Sequence, residues 1–274
     1  MVLSALGRGL ALLQRYPLPL LLPILVIAAS GVSINHLVAG LTLTKFAHFF
    51  VFVTGLLIRY LLACAGFLCV ANYTVTSESN GERPEVSNLL DSLAFPGCVK
   101  LLTGLLARFA AALVVAGAVT IILSTSALRV FKATTRHPVP RLVSGEVYWW
   151  IAIVLAILVL SRWLLAIPLF VQSKGLLKSP LALSVQTIRG RRGFAVAFTL
   201  LVVALSFPLV RLTSPLHPQF SDGATRYVPQ FLEILAAHGF AAVLWTWWMI
   251  VITLLTMRLQ GHDEPLPATP LAVA

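Results

Sequence analysis

Residues 46–73 read FAHFFVFVTGLLIRYLLACAGFLCVANY, and the only formal charge in that stretch is Arg59. A run of about 20 apolar residues crosses a ~30 Å hydrocarbon core as a helix. The stretch is therefore read as a transmembrane helix with a guanidinium near its middle. Five further apolar runs lie at 18–34, 99–123, 147–171, 193–212 and 229–258. The fold class expected from these runs is all-α: a polytopic membrane helix bundle of six transmembrane helices joined by interfacial amphipathic connectors.

Composition agrees. The chain is 59% hydrophobic and 11% charged, whereas a soluble domain is nearer ~45–50% and ~25%. The polar segments are too short to build a core of their own, so residues 1–260 are read as one integral membrane domain and 261–274 as a disordered cytoplasmic tail. The net charge of +11 would suggest nucleic acid in a soluble protein. Here basic residues flank membrane helices, orient them and meet anionic lipid, so no nucleic-acid partner is expected. Cys64, Cys69 and Cys98 show no metal-ligand spacing and read as small packing residues.

Arg8 and Arg15 precede the first run in the manner of a signal peptide, but a retained helix gives an even number of spans. Leu3, Leu6, Leu10 and Leu13 recur at helical spacing ahead of Pro17, Pro19 and Pro23. They predict an amphipathic segment on the membrane surface and then a bent or delayed first span. A second amphipathic helix is expected over 84–95, with Leu90 on its buried face and Asn88 outside. Ala107, Ala111, Ala112, Ala116 and Gly117 suit close helix packing in the third run. With the N-terminus inside, ten Lys and Arg fall on cytoplasmic segments, seven on external ones and three within runs. That bias gives an N-in, C-in, multi-pass protein of the inner membrane.

Arg59-Tyr60-Leu61-Leu62-Ala63 matches Arg162-Trp163-Leu164-Leu165-Ala166. The match predicts a parallel repeat of helices 2–3 and 4–5. A charge at a helix centre costs about 2.5–3.5 kcal/mol on insertion scales. Arg108, two turns from Lys100, escapes by snorkelling; Arg59 and Arg162 are expected to face one polar cavity inside the bundle. No run carries Asp or Glu in its middle third, so their partners are helix carbonyls, water or an external anion such as a lipid phosphate. Both the structural and the anion-binding readings stay open. Arg189, Arg191 and Arg192 form a basic run that either grips lipid phosphates or anchors the chain by charge. The candidate anion- or lipid-binding residues are thus Arg59, Arg162, Arg189, Arg191 and Arg192.

Catalytic patterns are missing from the sequence. It contains no phosphate-binding glycine loop, no GxSxG and no HExxH. The six histidines are scattered over loops and helix ends, and intramembrane carboxylates of the kind used by cation-coupled transporters are absent. No enzyme, cofactor or metal site is expected.

The stretch from Arg162-Trp-Leu-Leu-Ala-Ile-Pro168-Leu-Phe-Val171 through Ala182-Leu183 to Arg189-Gly190, with Asn80-Gly81-Glu82-Arg83-Pro84 before the other connector, resembles a bacterial family. It looks like the six-helix YciC-like inner-membrane proteins and the membrane domain attached to some glycerophosphodiester phosphodiesterases. Gln172 stands where that family usually has glutamate. The resemblance implies an integral envelope protein without established catalysis. The function expected is binding or organising of anionic lipid or of a membrane partner, with a transporter of an amphipathic or lipid-like substrate as the alternative.

Overall fold

The computed structural model describes residues 2–26, 45–80, 86–134, 154–155, 157–158, 160–190, 192–212 and 227–262. Among them every regular element is helical. Helix α1 (Val2–Arg15) meets α2 (Pro17–Val26) at 91°. Pro17 has no N–H to continue the helical ladder, so the chain turns there. As expected, α1 is amphipathic. It lays Ala5, Gly9 and Leu13 inward and leaves Leu3 and Leu10 outside. A Cβ at Gly9 would meet Val251 Cγ2 at 2.9 Å, so only glycine permits this approach. The Trp247 indole N–H donates to Leu6 O at 3.3 Å.

Helix α3 (Lys45–Asn80) is unbroken over 36 residues. Its C-terminal half is buried from Leu68 to Thr74. The Arg8 Nε–H donates to Glu78 Oε1 at 2.9 Å and ties α1 to this end. Arg258 donates to Ser4 Oγ from the far helix. A 3-10 helix at Val86–Leu93 packs on α3. Its inward face is Leu89 and Ser92, and Leu90 is 65% exposed. The expected face was therefore wrong by one residue. A 3-10 helix repeats every three residues rather than 3.6, which rotates Leu90 out of the seam. Asn88 lies among residues whose side chains are not described.

Helix α4 (Cys98–Thr134) buries Ala112 and Ala116 but exposes Val114, Val115 and Ile122. Of the small residues expected at a helix seam only Ala112 and Ala116 are buried; Ala107 and Ala111 are exposed, and Leu101 and Leu105 supply the rest of the inward face. The three cysteines are free and buried.

The run at 147–171 is not one helix where it is described. A 3-10 turn at Ser161–Trp163 leads into the short α5 (Ala166–Gln172). Pro168 explains the break, because it offers no N–H to the Leu164 carbonyl and its ring crowds that group. All of Leu165–Val171 is buried. Helix α5 ends in a tight reversal in which Gly175 N–H donates to Phe170 O and Lys174 N–H to Val171 O, the double bond pattern of a left-handed helix stop. Lys174 has φ 51° and Gly175 φ 79°. A Cβ at Gly175 would lie 2.5 Å from Pro96 O, so glycine is required twice over, by conformation and by space. Helix α6 (Pro180–Ile188) then returns along α5. Ser184 Oγ accepts from Leu165 N–H at 3.2 Å and donates to Arg162 O at 3.0 Å, satisfying a donor and an acceptor where the 3-10 turn meets α5.

Helices α7 (Arg192–Leu212) and α8 (Tyr227–His262) complete the bundle. Helix α8 is central, packs on α1, α3, α5 and α7, and is buried throughout 248–256. The helix runs to His262, two residues past the expected boundary, and the rest of the tail lies outside the described residues. Three described helices contain stretches long and apolar enough to cross a membrane: Val53–Ser79, Cys98–Val119 and Gly239–Gln260. The bent α1–α2 pair makes a fourth if it is one span. The remainders of the runs at 18–34 and 147–171 lie outside the described residues.

Candidate functional site

The motif arginines Arg59 and Arg162 differ in burial. Arg59 is half-buried on α3, while Arg162 is exposed. Neither lines the two cavities described below. The 3-10 turn at Ser161–Trp163 swings Arg162 outward and presents the next residue, Trp163, to the interior. Arg189 is exposed at the end of α6, and Arg191 is outside the described residues. Arg192 is half-buried and holds two elements together. Its guanidinium donates to Leu158 O at 2.8 Å and to Ser161 Oγ at 3.3 Å.

The cationic site that does form lies between α4 and the α5–α6 hairpin. It is a cleft of about 840 Å³. Lys100 and Arg108 enter from α4, and Lys178 from the turn before α6. No carboxylate lines it. Lys100, Gly104 and Arg108 recur every four residues and so share one face of α4. Gly104 gives the hairpin room, because a Cβ there would meet Leu181 Cδ1 at 2.9 Å.

Arg108 sits about 12 Å further along the helix than Lys100. Its side chain turns back toward Lys100, and Nη1 donates to Gly104 O at 2.9 Å. This is the snorkelling direction predicted for it. The guanidinium also lies over the Trp163 ring, 5.2 Å from the centroid. That contact is worth about 0.5–2 kcal/mol and holds the cation without neutralising it. One of five guanidinium donors is used on Gly104, so the planar fork is still able to grip an anion. Ser179, Pro180, Leu181 and Ala182, the first turn of α6, line the same cleft, and a helix start adds partial positive charge. The rest of the wall is mixed: Leu101, Phe170, Leu177 and Val185 are apolar, and Thr103 and Gln186 are polar. A ligand held here needs an anionic group and tolerance of hydrocarbon.

Sequence reasoning placed Lys100 and Lys178 among flanking charges and Arg108 within a run as a snorkelling residue, and missed their convergence. The four-residue recurrence on α4 was the available signal. Lys178 is brought to it only by the hairpin. Among the described residues no three His, Cys, Asp or Glu side chains gather as metal ligands would.

No family model matches this chain, and no curated protein or solved structure is similar to it.

Proposed function

We propose that this chain is a multi-pass protein of a bacterial inner membrane, of the YciC-like kind, which binds and organises anionic lipid and performs no catalysis. One observation carries the reading: Lys100, Arg108 and Lys178 share a cleft without a carboxylate at the end of a membrane-length helix. Three cations brought together without counter-charge repel one another, and an anion bound among them relieves that repulsion. A phosphate at the membrane surface is the anion at hand, and the apolar part of the wall suits the glycerol backbone beside it.

The six-helix count, with helices 2–3 and 4–5 as a parallel pair of units, and the N-in, C-in orientation belong to the same proposal. The pairing of Arg8 with Glu78 and of Arg258 with Ser4 gathers three segments at one end of the bundle. All were assigned to the cytoplasmic side. The three native cysteines are buried, so a cysteine introduced at exposed Lys174 reports sidedness cleanly. It is expected to be labelled from the cytoplasm, and one at Ser221 from outside. The reverse pattern refutes the orientation.

The lipid reading is tested by phospholipid analysis of protein purified in mild detergent. Wild-type protein is expected to retain phosphatidylglycerol, and Arg108→Gln and Lys178→Gln to retain several-fold less while remaining folded and monodisperse. Equal retention by all three refutes it.

A further inference from the structure

A second cavity, of about 400 Å³, lies in the heart of the bundle. Residues from α2, α3, α4, α5, α7 and α8 line it, together with the segment that carries Trp163. Its walls are almost wholly apolar: Ile24, Phe67, Leu105, Ile167 and Met249 are typical. Three of the polar groups that border it, on Ser161, Thr199 and Trp248, are already engaged. Trp248 Nε1–H donates to Thr199 Oγ1 at 3.3 Å, and Thr199 donates to Ala195 O at 2.8 Å. Ser161 donates to Leu158 O at 2.8 Å and accepts from Arg192. The cavity thus offers a guest apolar contact and no free donor from these groups. Hydrocarbon suits it, and a polar ligand would be stripped of water without return.

Trp163 lines both this cavity and the basic cleft. One side of the cleft is Arg108, held over the Trp163 ring. On α4, Leu105 borders the apolar cavity, while Gly104 and Arg108 border the cleft. A single residue's width of helix and one indole therefore separate a cationic compartment from a hydrocarbon-like one. That is the spatial order of an anionic amphiphile.

We infer that the two cavities form one site for a single-chain anionic lipid, such as a lysophospholipid, with its phosphate in the cleft and its acyl chain behind Trp163. Size fixes the number of chains the cavity holds. An apolar cavity of ~150 Å³ holds one six-carbon ring. On that scale about 400 Å³ holds roughly sixteen carbons, which is one acyl chain; a two-chain phospholipid gripped by its headgroup in the cleft would leave its second chain outside this cavity. The inference rests on the headgroup reading of the cleft and adds to it the tail, the chain number and Trp163 as the partition.

The test uses the full chain in detergent with two probes, lysophosphatidylglycerol carrying a sixteen-carbon or a six-carbon chain. Wild-type protein is expected to bind the long probe at least tenfold more tightly. Ala63 lines the apolar cavity and not the cleft, so Ala63→Phe is expected to abolish the long-chain advantage and leave six-carbon binding within twofold. If folded Ala63→Phe keeps the advantage, the tail lies elsewhere and the inference falls while the cleft reading stands. A second measurement needs no variant. Trp245 and Trp248 line the cavity, so a long probe brominated at the chain end is expected to quench tryptophan emission saturably, at one equivalent. Quenching that rises with detergent-phase probe and never saturates overturns the inference. Arg108→Gln is expected to weaken both probes about equally. If it weakens neither, the headgroup reading fails, and the joined site fails with it.

Discussion

Arg59-Tyr60-Leu61-Leu62-Ala63 and Arg162-Trp163-Leu164-Leu165-Ala166 are nearly the same text on two different backbones. The first lies inside an unbroken helix of 36 residues. The second straddles a 3-10 turn and a seven-residue helix. The divergence has a local cause six residues past each arginine. Ala65 follows the first, and Pro168 follows the second. The arginines part company as a result, one half-buried and one exposed. The aromatic residues beside them do not. Tyr60 stacks on Phe109 with ring centroids 3.9 Å apart, and Trp163 holds Arg108. Both therefore engage consecutive residues of α4, and both line the apolar cavity. The difference teaches that the charged letter of the motif follows the backbone, whereas the aromatic letter follows the core.

The comparison breaks most severely if the two backbones are made alike. Ala65→Pro places the same interruption in α3. It is expected to cost about 3 kcal/mol or more and to remove monodisperse protein on size-exclusion chromatography. Gly175→Ala attacks the other backbone at its reversal, where a Cβ would lie 2.5 Å from Pro96 O. A loss of about 2–3 kcal/mol is expected as a lowered unfolding midpoint in detergent. Gly55→Ala, with open space around it, serves as the control in α3 and should be neutral or slightly stabilising.

Ser184→Ala probes the join between the 3-10 turn and α5. It leaves the buried Leu165 N–H without its acceptor and is expected to destabilise by about 1–3 kcal/mol. A small effect is expected at one of the motif arginines. Arg162→Gln, at an exposed position, should move the unfolding midpoint by no more than about 0.5 kcal/mol. A large loss there would show that the exposed guanidinium holds the turn together.

Much of the fold was legible because hydropathy records it directly. The apolar runs at 46–73, 99–123 and 229–258 appear as membrane-length helices, and the leucines of α1 gave its amphipathic character. The break in the fourth run was written in Pro168, but a hydropathy average does not register a missing N–H. The 3-10 character of 86–93 was hidden because Leu89 and Leu90 are equally apolar and only the helical period decides which one is buried. The candidate site was less legible. Lys100 and Arg108 share a helical face, yet Lys178 joins them only because two positive-φ residues reverse the chain at Lys174-Gly175. Nothing in the linear charge pattern marks that meeting. The apolar cavity draws on residues from Ile24 to Met249, and its shape is a property of packing that no single segment states.

The central claim is that the cations of the α4 cleft, and not the motif arginines, hold anionic lipid. Competition native mass spectrometry of four proteins tests it most directly: wild type, Arg59→Gln, Arg108→Gln and Arg162→Gln, each offered an equal mixture of phosphatidylglycerol and phosphatidylcholine. The account predicts that wild type and Arg162→Gln enrich phosphatidylglycerol to the same degree, and that Arg108→Gln loses most of that enrichment. Preserved enrichment in Arg108→Gln, with loss in Arg59→Gln or Arg162→Gln, would contradict it.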